Sequence, residues 1–134
     1  MDGDETRVTD EILTTIQEDI HYRFGQVKTL ELALSHSSWA NEHGCPQQCN
    51  ERLEFLGDAV LNMAVSAMLY QRYAGSDEGD LTRVRAHLVR EESLHRAALA
   101  LGLPQVLRLS DGETRGGGAQ RASILADALE ALIG

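Results

Sequence analysis

Apolar residues recur every three or four positions along most of this chain, which is the spacing of amphipathic α-helices. The alternation of apolar and polar residues that marks half-buried strands is scarce, and only Pro46 and Pro104 could break the helices. The pattern therefore predicts an all-α protein. The predicted helices cover residues 9–20, 28–35, 51–73, 81–90, 92–101 and the segment from 121 onward.

Three polar or glycine-rich stretches, residues 40–49, 74–79 and 110–118, separate these helices and are predicted to be loops. Asn50 stands where an N-cap belongs, directly before the longest predicted helix. Asp80 is predicted to cap the next helix, which leaves Glu78 in the turn before it.

Three acids stand out in the longest predicted helix because they interrupt an otherwise apolar run. Glu51, Glu54 and Asp58 are spaced i, i+3 and i+7, so at about 100° per residue they fall within roughly 60° of one another. A solvated helix face would normally intersperse lysine or arginine among such acids. Carboxylate oxygens are hard ligands, so the stripe indicates a site for Mg²⁺ or Mn²⁺.

A second acid pair, Asp127 and Glu130, lies at i, i+3 in the last predicted helix, again among apolar residues. One such pair alone is more often a solvated helix face. Two acid motifs in two apolar helices favour a shared metal site, to which Glu78 is a further candidate ligand. Phe55 falls about 40° from Glu51, beside the acids and away from the apolar side, which indicates a partner surface.

The net charge of −9 argues against a broad basic surface for nucleic acid. A polyanionic partner would have to be bound through metal ions, local arginines or another domain. No apolar run approaches the roughly 18 residues of a membrane span, and the acidic N-terminus lacks the apolar segment of a signal peptide. These features predict a single cytoplasmic domain without a membrane partner.

Several smaller motifs leave alternatives open. Four arginines could contact phosphate or could equally pair with the many acids of the chain; they are Arg83, Arg85, Arg115 and Arg121. His43, Cys45 and Cys49 offer soft ligands, but they match no common zinc spacing and lack a fourth ligand, so they are interpreted as a variable loop. The single Glu-x-x-His motif at residues 92–95 falls short of the pair that a di-iron bundle uses.

The chain resembles the ribonuclease III family. Residues 50–58, Asn-Glu-Arg-Leu-Glu-Phe-Leu-Gly-Asp, match that family's signature motif without a substitution. Residues 32–38, 77–85 and 123–134 resemble its other motifs, in the same order along the chain. The resemblance implies the all-helical endonuclease-domain fold of ribonuclease III. It also implies a homodimer that cuts double-stranded RNA with Mg²⁺, for which Mn²⁺ can substitute.

The resemblance also implies roles for individual residues. Glu54, Asp58, Asp127 and Glu130 match the family's metal-binding acids, and two of them, Asp58 and Glu130, match the catalytic positions. Glu51 and Glu78 match two further acids of the cleavage site, and Phe55 matches an aromatic residue that inserts into the partner subunit. Each of the two sites is expected to cut one strand of ribosomal or messenger RNA precursors and to leave a short 3′ overhang.

Residues 1–134 are accordingly expected to form one catalytic domain, cut short four residues after Glu130 and without a double-stranded-RNA-binding domain. The alternative from another functional class is a relative that binds RNA, or serves as a scaffold, without cleaving. Such relatives usually lose acids from the site, whereas all the matching acids are present here.

Overall fold

The computed structural model describes the backbone of residues 2–134 and the side chains of residues 10–134. Within these residues the chain forms eight α-helices and no named strand, which confirms the predicted all-α class. The helices are α1 (Asp2–Asp19), α2 (Val27–Ala33), α3 (Ser37–Glu42), α4 (Glu51–Arg72), α5 (Glu78–Leu88), α6 (Glu91–Ala100), α7 (Asp111–Arg115) and α8 (Ala122–Ile133). Short 3₁₀ turns cover Leu103–Gln105 and Gly118–Gln120.

Two helices lie where loops are predicted. Helix α3 extends into the 40–49 stretch, and α7 lies within the 110–118 stretch. Both are too short to show a helical period in the sequence. Each begins with a side-chain cap: the His36 imidazole accepts a hydrogen bond from the Ser38 amide, and the Ser110 hydroxyl accepts one from the Glu113 amide.

Helix α5 begins earlier than predicted, because Asp77 and not Asp80 is its N-cap. The Asp77 carboxylate accepts a hydrogen bond from the Asp80 amide at 2.8 Å. Glu78 therefore lies in the first helical turn and not in the preceding loop.

Helix α8 is the central helix of the protein and packs against α4 on one side and α6 on another. Leu125 and Ala128 are fully buried, and α1 and α2 close the same core with Ile16, Leu30 and Leu34. Each large side chain buried in this way contributes about 1.5–3 kcal/mol to folding. The core therefore fixes the position of the helix that carries Asp127 and Glu130.

Helix α4, in contrast, is mostly exposed, with only Gly57 and Leu69 buried along its 22 residues. Phe55, Met63, Met68 and Tyr70 are large exposed side chains on this helix. By length and composition alone α4 could also cross a membrane, a test that an apolar helix of a soluble protein can pass equally well. Acids in its first turns pack toward α8, while the large apolar side chains stay exposed to solvent.

The start of α4 is fixed by Asn50, which is 4% exposed. Asn50 occupies the N-cap position as predicted, but its side chain makes no capping hydrogen bond. Its amide group donates instead to the Ala33 carbonyl at the end of α2, at 3.0 Å. Its backbone N–H donates to the Ser35 carbonyl at 2.8 Å. The asparagine therefore ties α4 to the end of α2, where carbonyl groups lack helical partners.

Candidate metal centre

Helices α4 and α8 approach each other most closely at Gly57. A Cβ atom at this position would overlap the backbone carbonyl of Glu130. Glycine inside a helix costs about 0.5–1 kcal/mol relative to alanine, and here it permits backbone contact between the two helices. The close approach brings the acids on either side of Gly57 next to those of α8.

Three carboxylates meet at this crossing. Oxygens of Glu54, Asp127 and Glu130 all lie within 4.8 Å of one another, and the three side chains are half-buried. Asp58 joins them from the exposed side, since its carboxylate accepts a hydrogen bond from the Glu130 carboxyl. The structure thus brings together the four acids that the sequence places in two separate motifs.

The Glu54 carboxyl shows the electrostatic consequence of this clustering. Burial is the largest cause that raises the pKa of Glu54, followed by the nearby charge of Asp127, to which Glu54 donates a hydrogen bond. Glu51 and Asp58 add smaller repulsions, and the pKa rises from 4.5 to about 7. Without a cation, this carboxyl therefore holds its proton until near neutral pH.

Glu130 behaves in the same way on the opposite helix. Burial is again the largest cause, and the hydrogen bond and charge of Asp58 follow, so that the pKa of Glu130 rises to about 7. The pKa of Asp127 is raised by burial and by Glu91, and is lowered by its hydrogen bond with Glu54 and by His36. Burial and the neighbouring negative charges therefore both favour the protonated carboxyls at this site.

The donor set fits a hard divalent cation. Four carboxylates on two packed helices offer oxygen ligands, and Mg²⁺ binds through one or two carboxylates while keeping several waters. Partial exposure of the cluster leaves room for such waters. A bound cation would also relieve the repulsion that raises the pKa values of Glu54 and Glu130.

The two further acids named from the sequence lie in different places. Glu51 is in the first turn of α4, near enough to Glu54 to raise the pKa of that carboxyl. Glu78 lies at the start of α5, beside a cavity of about 410 Å³ that also contacts Ser66 and Arg85. The cavity borders the second half of α4, so the structure does not bring Glu78 into the four-acid cluster.

Three residues at the site were not identified as functional from the sequence. Gly57 had a signal, because a glycine within a predicted helix indicates close packing. His36, whose Nδ1 is 2.8 Å from the Ser38 hydroxyl, is near enough to Asp127 to lower the pKa that burial raises, and no sequence pattern indicated this. Glu91, at the start of α6, is adjacent to Asp127 only through the tertiary fold, so no local pattern could reveal it.

Phe55 points away from the core, as its helical angle predicts, and is 82% exposed. It borders a shallow cavity of about 720 Å³ together with Leu32, Cys49, Arg52 and Leu56. An isolated aromatic residue of this exposure, beside a partly apolar cavity, has the character of an interface contact.

Most of this chain matches known protein sequences. The family model described as Ribonuclease-III-like matches residues 26–134. A protein named Ribonuclease 3 from Variovorax paradoxus (strain S110) is 56% identical over 122 residues, which cover 91% of this chain and 51% of that protein. The Ribonuclease 3 of Nitratidesulfovibrio vulgaris is 51% identical over 119 residues, which cover 89% of this chain and 47% of that protein. The chain spans about half the length of these curated relatives.

Two solved structures of the nuclease domain of ribonuclease III from Campylobacter jejuni have the same fold. One, described as flexible in a region involved in dimer formation, has a TM-score of 0.82 and 40% identity, and the match covers 88% of this chain and 79% of that chain. The other, a crystal structure, has a TM-score of 0.81 and 39% identity over 89% and 78% of the two chains. The helical nuclease-domain fold expected from the resemblance is therefore confirmed.

Proposed function

This chain belongs to the ribonuclease III family, and we propose that it is the catalytic part of a Mg²⁺-dependent endonuclease that cuts double-stranded RNA. The observation that carries the proposal is the convergence of Glu54, Asp58, Asp127 and Glu130 at the crossing of α4 and α8. Four acids, of which Glu54, Asp127 and Glu130 have raised pKa values, are suited to metal-assisted phosphodiester hydrolysis on a surface open to solvent.

Each acid has a defined task in this proposal. Glu54 and Asp127, held half-buried by the helix packing, would bind the cation through their carboxylate oxygens. Asp58, which is exposed, and Glu130, which lies beside it, would hold the cation from the solvent-facing side. When bound, Mg²⁺ supplies stabilisation of charge on the phosphoryl oxygens and activation of a water molecule.

Protons must leave the site before the acids can bind a cation. The Glu130 carboxyl donates to Asp58, and the Glu54 carboxyl donates to Asp127. Both donors would release these protons to solvent as the positive charge arrives, because a nearby cation favours the ionised form. Glu51, in the first turn of α4, adds negative charge at the edge of the site and would help to attract the cation.

A homodimer is part of the same proposal. Phe55 and the exposed apolar side chains of α4 offer a surface that a second copy could cover, with Phe55 inserting into the partner. Two metal centres facing one RNA duplex would each cut one strand and leave a short 3′ overhang. We further propose that Mn²⁺ can replace Mg²⁺, and that the substrates are ribosomal and messenger RNA precursors in the cytoplasm.

The direct test is cleavage of a long RNA duplex by the full-length protein in the presence of Mg²⁺, with single-stranded RNA of the same sequence as the comparison. Asp58→Asn and Glu130→Gln should each lower the rate at least about a hundredfold, the scale of a lost catalytic group. Glu92→Gln is the matched control, because it removes an acid that pairs with Arg90 on the surface. Cleavage that survives both site substitutions would refute the proposal.

A further inference from the structure

A line of hydrogen bonds leads from the metal centre along α4 toward α5. The Asn62 amide donates to the Asp58 backbone carbonyl at 2.8 Å, and the Ser66 hydroxyl donates to the Asn62 carbonyl at 2.6 Å. The Arg85 guanidinium, on α5, donates to the Ser66 hydroxyl at 2.9 Å. Asp58, Asn62 and Ser66 follow one another at i+4, so they form a polar stripe on one side of α4.

Of the four arginines that the sequence singles out, two pair with carboxylates, whereas Arg85 and the exposed Arg115 pair with none of residues 10–134. Arg83 pairs with Asp80, and Arg121 pairs with Glu113 at 3.1 Å. Arg85 is half-buried, and no carboxylate of residues 10–134 lies within 4.0 Å of it. A partly desolvated cation that stays unpaired in a chain of net charge −9 indicates that an external anion is its partner.

The surroundings of Arg85 can accept such an anion. The cavity of about 410 Å³ between α4 and α5 contacts Arg85 together with Ser66, Thr82 and Tyr70. The Glu78 carboxylate also lines it, but makes no ion pair with Arg85 within 4.0 Å. Hydroxyl groups and a guanidinium fork are the donors with which proteins bind phosphate oxygens. Ser66 restrains the guanidinium through one hydrogen bond, so less conformational entropy is lost when the anion arrives.

We propose that Arg85, held in position by Ser66 and with Thr82 beside it, binds a backbone phosphate of the RNA other than the one that is cleaved. Ser66 follows Asp58 by eight residues, which places this contact about 12 Å along the helix from the metal centre. The polar stripe joins the two positions, so a strand that enters the metal centre can continue along α4. This inference rests on the proposed function, and it makes Arg85 a substrate-positioning residue outside the metal site.

The test measures binding of an RNA duplex to the full-length protein as a function of salt, in a Glu130→Gln background that does not cleave. Arg85→Gln should weaken binding about fivefold to tenfold and lower the slope of log Kd against log salt by about one ion, as expected for one lost phosphate contact. In the cleaving protein the same substitution should raise KM and leave kcat within about twofold.

Matched variants separate this role from a structural one. Arg83→Gln removes a neighbouring arginine that is already paired, so it should leave the salt slope unchanged. Arg85→Lys should restore the slope because it keeps the charge, while Ser66→Ala should weaken binding by a smaller factor. If Arg85→Gln leaves the slope of log Kd against log salt unchanged, the inference is overturned. This holds even if the variant also unfolds at a lower temperature or sediments as a monomer.

The two proposals can fail separately. If the wild-type protein neither binds nor cuts duplex RNA, the proposed function itself is wrong. If the wild-type protein binds and cuts but Arg85→Gln behaves as Arg83→Gln does, only the phosphate contact is wrong. If Arg85→Gln loses the dimer but keeps the salt slope, the anion that Arg85 binds is a carboxylate of the second copy and not an RNA phosphate.

Discussion

Helices α8 and α4 each contribute acids to the same cluster, but they are held in opposite ways. Six residues of α8 are buried along its 12 residues, so this helix is fixed by the core. Helix α4 has two buried residues along 22, and most of its apolar side chains face solvent. The acids on α8 are therefore positioned by the hydrophobic core. The acids on α4 depend instead on local contacts of that helix and on a partner that would cover it.

Leu125→Ala gives the largest expected effect on this difference. Leu125 is fully buried on α8, so its truncation should lower the free energy of unfolding by about 2–5 kcal/mol. Met63→Ala on exposed α4 should change it by less than about 0.5 kcal/mol. Denaturant unfolding at protein concentrations low enough to keep the variants monomeric measures both free energies. Equal losses in the two variants would show that α4 is buried to the same extent as α8.

Gly57→Ala tests the contact where the two helices meet. The added methyl group would overlap the Glu130 carbonyl, so α8 or α4 must shift, at a cost of about 1–3 kcal/mol. The four acids should separate as a result, and Mg²⁺ binding measured by calorimetry should weaken. Gly75→Ala is the matched control, because a Cβ there has no atom within 4 Å. A variant that binds Mg²⁺ as tightly as the wild type would contradict the role given to Gly57.

Phe55→Ala tests whether a second copy covers α4. Loss of an inserted aromatic side chain should weaken dimerisation about tenfold or more, as sedimentation velocity over a concentration series would show. Leu99→Ala removes an exposed apolar side chain from α6 and should leave the dimer unchanged. A dimer that is equally stable in both variants would remove Phe55 from the interface.

The smallest expected effect is the pH dependence of stability. The pKa of Glu130 is about 7 in the folded protein against 4.5 for the free group, so the folded state binds more protons between these values. The contribution of Glu130 to stability is therefore present below about pH 4.5 and is lost as the pH rises through about 7.

The contribution of Glu130 is isolated by subtracting the free energy of unfolding of Glu130→Gln from that of the wild type at each pH. The difference in the free energy of unfolding should fall between about pH 5 and pH 8, by less than about 1 kcal/mol because the side chain is partly exposed to solvent. Saturating Mg²⁺ should reduce the fall, since a nearby cation favours the ionised carboxyl that burial and the neighbouring acids disfavour. A difference that stays constant with pH would show that the pKa of Glu130 is not raised in the folded protein.

Periodicity was sufficient to predict the long helices and to select the acids of α4 and α8. Glu54 and Asp127 are separated by 73 positions, yet each lies in an apolar run, and the packing of α4 on α8 at Gly57 brings the two runs together. Glu78 was predicted to join them as a further acid in the turn before Asp80 and by its match to a cleavage-site acid of the family. Its actual neighbours, Ser66 and Arg85, follow from the packing of α5 on α4, which no local pattern specifies.

The remaining differences arise where a residue's task is set by the tertiary fold. Asn50 has the sequence of an N-cap, but the nearby end of α2 provides its amide with a carbonyl partner. Helices α3 and α7 are stabilised by caps and by contacts across the chain, as when the Ser110 amide donates to the Ser38 hydroxyl at 3.0 Å. Such short elements carry too few residues for a hydrophobic pattern to be visible.

Asn50 and Gly57 together have a mechanical consequence. They fix α4 at two points about 10 Å apart along its axis, and Glu54 lies midway between them. A helix that is held at two points bends less between those points than beyond them. The first turns of α4 should therefore be more strongly protected than its more exposed later turns, and amide hydrogen exchange along α4 would measure this difference as a gradient of protection.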